Sequence, residues 1–224
     1  MIRKEHAVDN LKDYREKEQK MYIIANIFVL ILLSDLFNLQ NIQYDWLNVL
    51  LKILDSTLLS SSIYIFAFLA DALFSSGVKM KLLYITGHLP GETIFSELKK
   101  KNTDLRFTTG QLLVKYKEIY EGLPVDKKEK LKYENSQWYK IYNKHRNVSM
   151  IFVSNRDYLL CKDLYISTLV IFISYLISCN LINVLEFNWR SILYLVGMLI
   201  ITNVTAHIKG RRFATNVLAY DLQS

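Results

Sequence analysis

Charged side chains inside apolar segments are the residues of this 224-residue sequence whose type and position point most directly to chemistry. Asp35 lies in an apolar stretch at residues 21–39, and Lys52 and Asp55 lie in a second one at residues 47–74. If both stretches are membrane-spanning helices, Asp35 lies about 6 Å and Lys52 about 8 Å from their external ends, at 1.5 Å per residue. Asp55 shares a helix face with Lys52. The spacing therefore predicts one buried cluster between two helices.

Three interpretations of this cluster stay open. A charge at the middle of a bilayer costs at least about 2.5 kcal/mol and usually has a partner or a task. The three side chains could neutralise one another, line a water-filled path, or extend to the membrane interface. Ser60, Ser61 and Ser62 add hydroxyls further along the second stretch. Serines at that depth are more often helix-packing contacts than pore lining.

Signatures of catalysis and of metal binding are absent from the sequence. It contains no glycine-rich phosphate loop, no His-x-x-x-His pair, no Cys-x-x-Cys motif and no nucleophile elbow. The four histidines are far apart in sequence: His6, His88, His145 and His207. We expect His145 to pack on a helix face. The sequence thus predicts a protein that is not an enzyme, with no catalytic residue, metal or other cofactor.

The elements that must position these residues are apolar blocks. The sequence is 51% hydrophobic, and a stretch of about 18 residues with few charges can cross a bilayer as a helix. Four stretches qualify or nearly qualify: residues 21–39, 47–74, 164–184 and 191–208. The first is longer than a signal-peptide core, so we expect it to be an uncleaved span. With two prolines and seven glycines, and without sustained strand-like alternation, the chain is predicted to be an all-α integral membrane protein.

Basic residues define the predicted orientation, because segments rich in Lys and Arg stay in the cytoplasm. Six occur in residues 1–20 and sixteen in residues 75–161, whereas residues 40–46 have none. The predicted order is a cytoplasmic tail (1–20), a transmembrane hairpin (21–74), a cytoplasmic domain (75–161), a second hairpin (162–208) and a cytoplasmic tail (209–224). Such a protein belongs in the cell inner membrane, with both termini in the cytoplasm.

The segment between the second and third spans predicts a small helical domain. Helices are expected at residues 93–101, at residues 109–121, and from an N-cap at Asp126 onward, with the last two packing as an antiparallel pair. Residues 148–153 are ambiguous between a strand and the start of the third span, and we favour a helix. The two cysteines, Cys161 and Cys179, fall on that helix about 27 Å apart, too far for a disulfide.

This domain is also the basic part of the chain, because its sixteen basic and nine acidic residues carry the whole net charge of +7. The densest positive stretches form the predicted basic surface: Lys99, Lys100, Lys101, Arg106, Lys127, Lys128, Lys130 and Lys132. Anionic membrane lipid is the first partner that such a surface suggests. A cytoplasmic protein partner, nucleic acid and plain solvation remain alternatives. The polar side chains in the first two spans predict a homo-oligomer, because they need more burial than one copy offers.

Three short motifs accompany this architecture: Leu89-Pro90-Gly91-Glu92, Trp138-Tyr139-x-x-Tyr142 and Asn155-Arg156-Asp157-Tyr158-Leu159-Leu160. With them the chain resembles bacterial four-span membrane proteins of anti-phage defence systems, such as membrane components of Kiwa-like, nucleotide-signalling or retron systems. The resemblance implies a membrane effector that perturbs or permeabilises the membrane when triggered. It equally suits a sensor that passes an infection signal to a cytoplasmic partner. A small transporter or channel is a third class. It is disfavoured because transporters usually have broken helices with Gly or Pro inside their spans, and Gly197 is the only such residue in these four.

Overall fold

The computed structural model describes residues 2–33 (residues 2–13 by main chain only), 74–85, 87–180 and 187–224, and single helical positions at 50, 54, 57, 61, 64, 65, 68 and 69. Within these ranges the chain is helical with short turns, and no strand occurs. The prediction of an all-α fold is confirmed for the part of the chain that is described.

Eight continuous helices follow one another in the described ranges. They are α1 (Ile2–Leu33), α2 (Ser76–Leu83), α3 (Pro90–Lys100), α4 (Thr109–Lys115), α5 (Lys117–Glu121), α6 (Lys127–His145), α7 (Ser149–Asn180) and α8 (Trp189–Gln223). Local signals explain their starts. The Asp126 carboxylate accepts from the Glu129 N–H at 2.9 Å, as its predicted N-cap role requires. Thr108 and Gln111 form a reciprocal capping box before α4.

Two membrane-length helices occur in the described residues, where four were expected. Both α7 and α8 are long and apolar enough to cross a membrane. The favoured helix at residues 148–153 is confirmed, since α7 begins at Ser149. The first predicted span ends six residues beyond α1, and most of residues 47–74 lie outside the described residues.

The chain divides into two compact units. Unit 1 comprises Met1–Lys79 and Lys162–Asn203, and unit 2 comprises Met80–Cys161 and Val204–Ser224. Helices α7 and α8 are each shared by both units. Unit 2 contains residues 80–161 of the predicted domain at residues 75–161, together with residues 204–224. Residues 209–224, expected to be a separate tail, are the last turns of α8, and Phe213, Ala214, Val217 and Leu218 are buried there.

Helix pairing inside unit 2 differs from the prediction. The helix expected at residues 109–121 is divided at Tyr116 into α4 and α5, and α6 packs along α3 instead. Gly91 explains the close approach, since a Cβ atom there would lie 2.8 Å from the Trp138 ring. Buried Glu134 of α6 also accepts a hydrogen bond from the Ser96 N–H at 3.0 Å. The two contacts place α3 against the middle of α6.

Candidate functional site

The predicted intramembrane cluster falls mostly outside the described residues. Asp35, Lys52, Asp55, Ser60 and Ser62 all lie there. Ser61 is described, and its hydroxyl is exposed and donates to the Thr57 carbonyl at 2.8 Å within its own helical turn. That bond is the usual way for a serine to satisfy itself on a helix.

A row of polar side chains lies instead between α1, α7 and α8 of unit 1. We call this set the polar row: Gln19, Tyr22, Asn26, Ser167, Thr168 and Tyr194. Gln19 donates to Ser167 Oγ at 2.9 Å, and the hydroxyls of Tyr22 and Thr168 are 2.7 Å apart. Asn26, only 2% exposed, accepts from the Tyr194 hydroxyl at 2.9 Å. Its amide group donates to the Tyr22 carbonyl at 2.8 Å.

The register of these bonds gives the helix directions in unit 1. Gln19 pairs with a residue 148 positions later and Tyr22 with one 146 positions later, so α1 and α7 are parallel. Helix α8 runs the other way along α1. Asn26 meets Tyr194, whereas the later Leu33 carbonyl accepts from the earlier Asn188 at 2.7 Å.

Four charged side chains continue the row toward the N-terminus of α1, and we call them the charge cluster: Arg15, Lys79, Lys162 and Asp163. Arg15 hydrogen-bonds to the Asp163 carboxylate, and the Lys79 and Lys162 amines lie 3.8 and 3.9 Å from its Oδ1 atom. Asp163 and Lys162 are 2% and 3% exposed. A buried carboxylate therefore joins cations from three separate segments of the chain.

A second cluster ties the C-terminal end of α8 into unit 2. The carboxylate of Asp221 accepts from the Tyr116 hydroxyl at 2.9 Å and lies 2.6 Å from His145 Nε2. The Lys144 and Lys115 amines are 3.3 and 3.7 Å from it. His145 is buried, as expected for a packing residue, and its ring meets Tyr220 edge-on.

Burial and the neighbouring groups act in opposite directions on the Asp221 pKa. Burial alone raises this pKa. Hydrogen bonds from His145 and Tyr116 and the charges of Lys115 and Lys144 together lower it by more than burial raises it, so the pKa lies below its usual value. The pKa of Tyr116 is raised, by burial first and then by the negative charge of Asp221. The carboxylate is thus held ionised as an acceptor. It is a structural anchor for helices α4, α6 and α8.

The predicted basic surface is largely exposed, with one exception to its expected role. Lys99, Lys100, Lys101, Lys127, Lys128 and Lys132 are exposed, and Lys130 is half-buried. Arg106 instead pairs with Asp104 at 2.6 Å, so its charge is locally balanced. Lys99 lies over the Tyr120 ring, 5.4 Å from its centre. We call the seven lysines without Arg106 the lysine surface.

No group of three or more His, Cys, Asp and Glu side chains among the described residues is arranged to hold a metal ion. The Asp221 carboxylate of the His145–Asp221 pair is also contacted by Tyr116, Lys115 and Lys144. The chain matches no protein-family model, no curated protein and no solved structure.

Sequence reasoning missed both the polar row and the charge cluster. One signal was present, because Arg15, Gln19, Tyr22 and Asn26 recur at helical spacing on one face of α1. This face crosses the boundary between the predicted cytoplasmic tail (1–20) and the first predicted span, which begins at residue 21. The sequence alone therefore suggested two separate segments and not one continuous polar stripe. Lys162 and Asp163 immediately precede the third predicted span, which begins at residue 164.

Proposed function

We propose that the chain is a four-span protein of the cell inner membrane, with both termini and unit 2 in the cytoplasm. In this proposal it acts without enzymatic chemistry, as a membrane effector of the kind found in anti-phage defence. When triggered, it permeabilises the membrane. The described helices of unit 1 carry the argument, because they have polar side chains inside and apolar side chains outside.

The distribution of exposure along α1 supports a lipid environment. Asn26 is 2% exposed, whereas the apolar side chains of Met21, Ile24, Phe28 and Leu32 are 57–60% exposed. These four recur every three or four residues and so form one apolar stripe, and Ile24 and Phe28 within it face Ser61, Tyr64 and Ile65 across a cavity. Exposed apolar patches of this kind are rare on water-soluble monomers.

Helix α8 has the same character. Only 22% of its most apolar 18-residue window is buried. Its exposed apolar residues include Leu193, Val196, Ile200, Ile201, Val204 and Ile208. A core helix of a soluble protein would bury such a window, whereas a membrane helix presents it to acyl chains.

Helix directions agree with the proposed topology. In a chain with four spans, the first and third cross the membrane in the same direction and the fourth crosses in the opposite one. The polar row makes α1 parallel to α7 and antiparallel to α8. The contact between Leu33 and Asn188 supports placing the end of the first span on the same side as the connection between the last two.

The polar row favours an effector over an inert anchor. Lipid-facing helices need no internal hydroxyls or amides, since van der Waals packing alone can hold them together. If these helices separate, the amide and hydroxyl groups of the polar row can hydrogen-bond to water and so hydrate a path between the helices. We propose that triggering moves α7 and α8, which continue from unit 1 into unit 2, and lets water and ions enter between these helices.

Assembly of several copies is part of the proposal. The outward stripes of α1 and α8 can face lipid or another copy, and a path wide enough for ions needs helices from more than one subunit. Crosslinking and native mass measurement in mild detergent are expected to show multimers. A monomer in several detergents and in lipid discs would contradict this part.

A sensor is the second candidate, favoured by one observation. The C-terminal end of α8 is buried in unit 2 and anchored at Asp221, so an event at one end of this 35-residue helix can be transmitted along it. A sensor of infection would use the helix to signal to a cytoplasmic partner rather than to open a path.

Production of the chain alone in bacteria tests the proposal and distinguishes these candidates. An effector collapses the membrane potential, measured with a voltage-sensitive dye, and the purified chain releases ions from liposomes. A sensor leaves both unchanged until its partner is added. Recovery of the chain in the soluble fraction, without detergent, would overturn both candidates.

A further inference from the structure

Two buried hydroxyl groups of unit 1 have no hydrogen-bond partner. Ser174 of α7 is 7% exposed, and Ser191 of α8 is completely buried. Neither Oγ atom makes a hydrogen bond within the part of the chain that the structure describes. The neighbouring Tyr175 hydroxyl is instead paired with the main chain of Asn188, whose N–H donates to it at 3.0 Å. Buried polar groups are almost always hydrogen-bonded, so these two hydroxyls point to a ligand that supplies the bonds.

Other hydroxyl groups on α7 satisfy themselves within the helix. Serine and threonine commonly donate to the carbonyl four residues earlier. Ser178 donates in this way to the Ser174 carbonyl at 2.9 Å. Thr168 donates to the Leu164 carbonyl at 2.8 Å. The Ser174 hydroxyl makes no such bond. It is therefore able to donate to, and accept from, a group outside α7.

Helix register places Ser174 level with Asn26. Helices α1 and α7 are parallel, and Gln19 donates to Ser167 Oγ at 2.9 Å. Asn26 and Ser174 each lie seven residues further along their helices. Seven residues make almost two turns, or about 10 Å, so both side chains stay on the same helix faces as the first pair. No hydrogen bond joins Ser174 to Asn26, however.

Tyr194 brings the third helix to this level. Its hydroxyl donates to Asn26 Oδ1 at 2.9 Å, and its oxygen can still accept a hydrogen bond. Asn26 is 2% exposed. A buried water molecule makes about three hydrogen bonds to polar groups that otherwise lack partners. The hydroxyls of Ser174 and Tyr194 offer such bonds in one layer. We call it the central layer: Asn26, Ser174 and Tyr194.

Ser191 extends the polar groups beyond the central layer. Tyr194 of the antiparallel α8 contacts Asn26. Asn188, earlier in the chain, contacts the Leu33 carbonyl. Ser191 lies midway between Tyr194 and Asn188 and therefore about one turn beyond the central layer. Polar side chains thus occur at successive turns from the central layer to Asn188, at the connection between the last two predicted spans.

Direct hydrogen bonds close the polar row on the other side of the central layer. The hydroxyls of Tyr22 and Thr168 are 2.7 Å apart, and Gln19 donates to Ser167 at 2.9 Å. Thr168 and Ser167 are 0% and 1% exposed. Polar atoms at hydrogen-bonding distance leave no room for a water molecule between them. Water that enters from the Asn188 end therefore stops at the central layer.

We propose that water occupies the space between α1, α7 and α8 from the Asn188 end as far as the central layer, bound at Ser191 and at Ser174. The polar row is then a half-open path, hydrated on one side of the central layer and closed on the other by Tyr22 and Gln19. This inference rests on the proposed function. It adds two lining residues and the place where the path is closed, so that triggering has to break only the direct bonds between α1 and α7.

Silver ion tests this hydration in lipid discs, because a small cation moves through water, is excluded from acyl chains and binds thiols. Cys161 and Cys179 are replaced by serine and alanine, and single cysteines are introduced as Ser174→Cys or Ile173→Cys. Ile173 is the matched control, since it is the preceding residue and is 45% exposed on the outside of α7. Silver-bound thiols resist N-ethylmaleimide, so the mass after unfolding and alkylation counts the thiols that silver reached. We expect silver to react several-fold faster at position 174 than at position 173.

Further variants separate a water path from loose packing. Ile171→Cys reports a completely buried apolar position on the same helix and should react as slowly as Ile173→Cys. Ser191→Ala, added to Ser174→Cys, removes the outer water-binding hydroxyl and is expected to slow the reaction at position 174 several-fold. Ser178→Ala is its control, because the Ser178 hydroxyl is already bonded within α7, and it should leave the rate unchanged.

The possible failures are distinguishable. Equal rates at positions 174 and 171 overturn the water site, and so does a rate at position 174 that Ser191→Ala leaves unchanged. A fast reaction at position 173 means that the outer face of α7 lies in water, which overturns the proposed membrane location instead. If Ser174→Cys does not fold, Ser191→Cys carries the same comparison with positions 171 and 173.

Discussion

The Nε2 atom of His145 lies 2.6 Å from the Asp221 carboxylate, although 76 residues separate them in sequence. An ionised carboxylate can only accept hydrogen bonds, so the imidazole donates through Nε2. This bond fastens the end of α8 to the end of α6, next to the donor from Tyr116. It makes unit 2 dependent on the ionisation of one carboxyl group.

Acid is therefore expected to loosen unit 2. The pKa of Asp221 is lower in the folded chain than its usual value of 3.8, and those of Asp104 and Asp157 are also lowered. A carboxyl group whose pKa is lower in the folded chain than in the unfolded chain stabilises the fold at any pH above its pKa in the unfolded chain. This stabilisation is lost as the pH falls through its pKa in the folded chain. Proteolysis of unit 2 should accelerate below about pH 4. Asp221→Asn should flatten part of this dependence, and an unchanged pH profile would contradict the anchor role.

Gly210 is expected to tolerate no side chain. A Cβ atom there would lie 2.8 Å from both the Tyr158 ring and the Tyr84 hydroxyl. Gly210→Ala should lower the unfolding free energy by about 1–3 kcal/mol through overpacking, despite the better helix propensity of alanine. Gly197→Ala is the matched control on the same helix, since nothing lies within 4 Å of its Cβ position. Thermal unfolding in detergent would show the difference, and equal melting temperatures would refute it.

Loss of the Asp163 carboxylate should destabilise unit 1. Arg15, Lys79 and Lys162 all lie within 4 Å of it, and removing one partner of a buried ion pair costs about 3–5 kcal/mol. Asp163→Ala is expected to lower the yield of folded chain in size-exclusion chromatography. Asp157→Ala is the control, because its carboxylate is 29% exposed and its loss should cost less. Similar yields for both variants would argue against a structural role for the charge cluster.

Asn26 should matter for permeation. Asn26→Leu removes the acceptor of the Tyr194 hydroxyl and replaces a buried amide in the polar row with an apolar group. The variant is expected to insert and assemble normally but to reduce ion release from liposomes at least several-fold. Phe28→Leu, on the exposed stripe of α1, should release ions like the unmodified chain. If Asn26→Leu conducts fully, the polar row serves helix packing alone.

Reporter fusions test the orientation. Fusions after Asn102 and Ser224 are expected to report the cytoplasm and a fusion after Gln43 the periplasm, because basic segments are retained inside. A periplasmic signal at Asn102 would reverse the proposed topology.

The sequence by itself determined the local structure. The N-cap at Asp126, the end of α5 before Gly122 and the helical start of α7 depend on neighbouring residues, and each was predicted. The long apolar blocks likewise predicted α7 and α8, since composition alone identifies a helix that could cross a bilayer. Exposure of the basic stretches follows from the hydration of lysine.

Only the tertiary structure decided which polar groups meet. The bond between Gln19 and Ser167 spans 148 residues, and that between Asn26 and Tyr194 spans 168, so no local spacing could reveal either. The same holds for the C-terminal end of α8, whose charged residues suggested a tail. Its Phe213 is buried because Trp138 of α6 and Tyr158 of α7 supply aromatic partners that the local sequence does not contain.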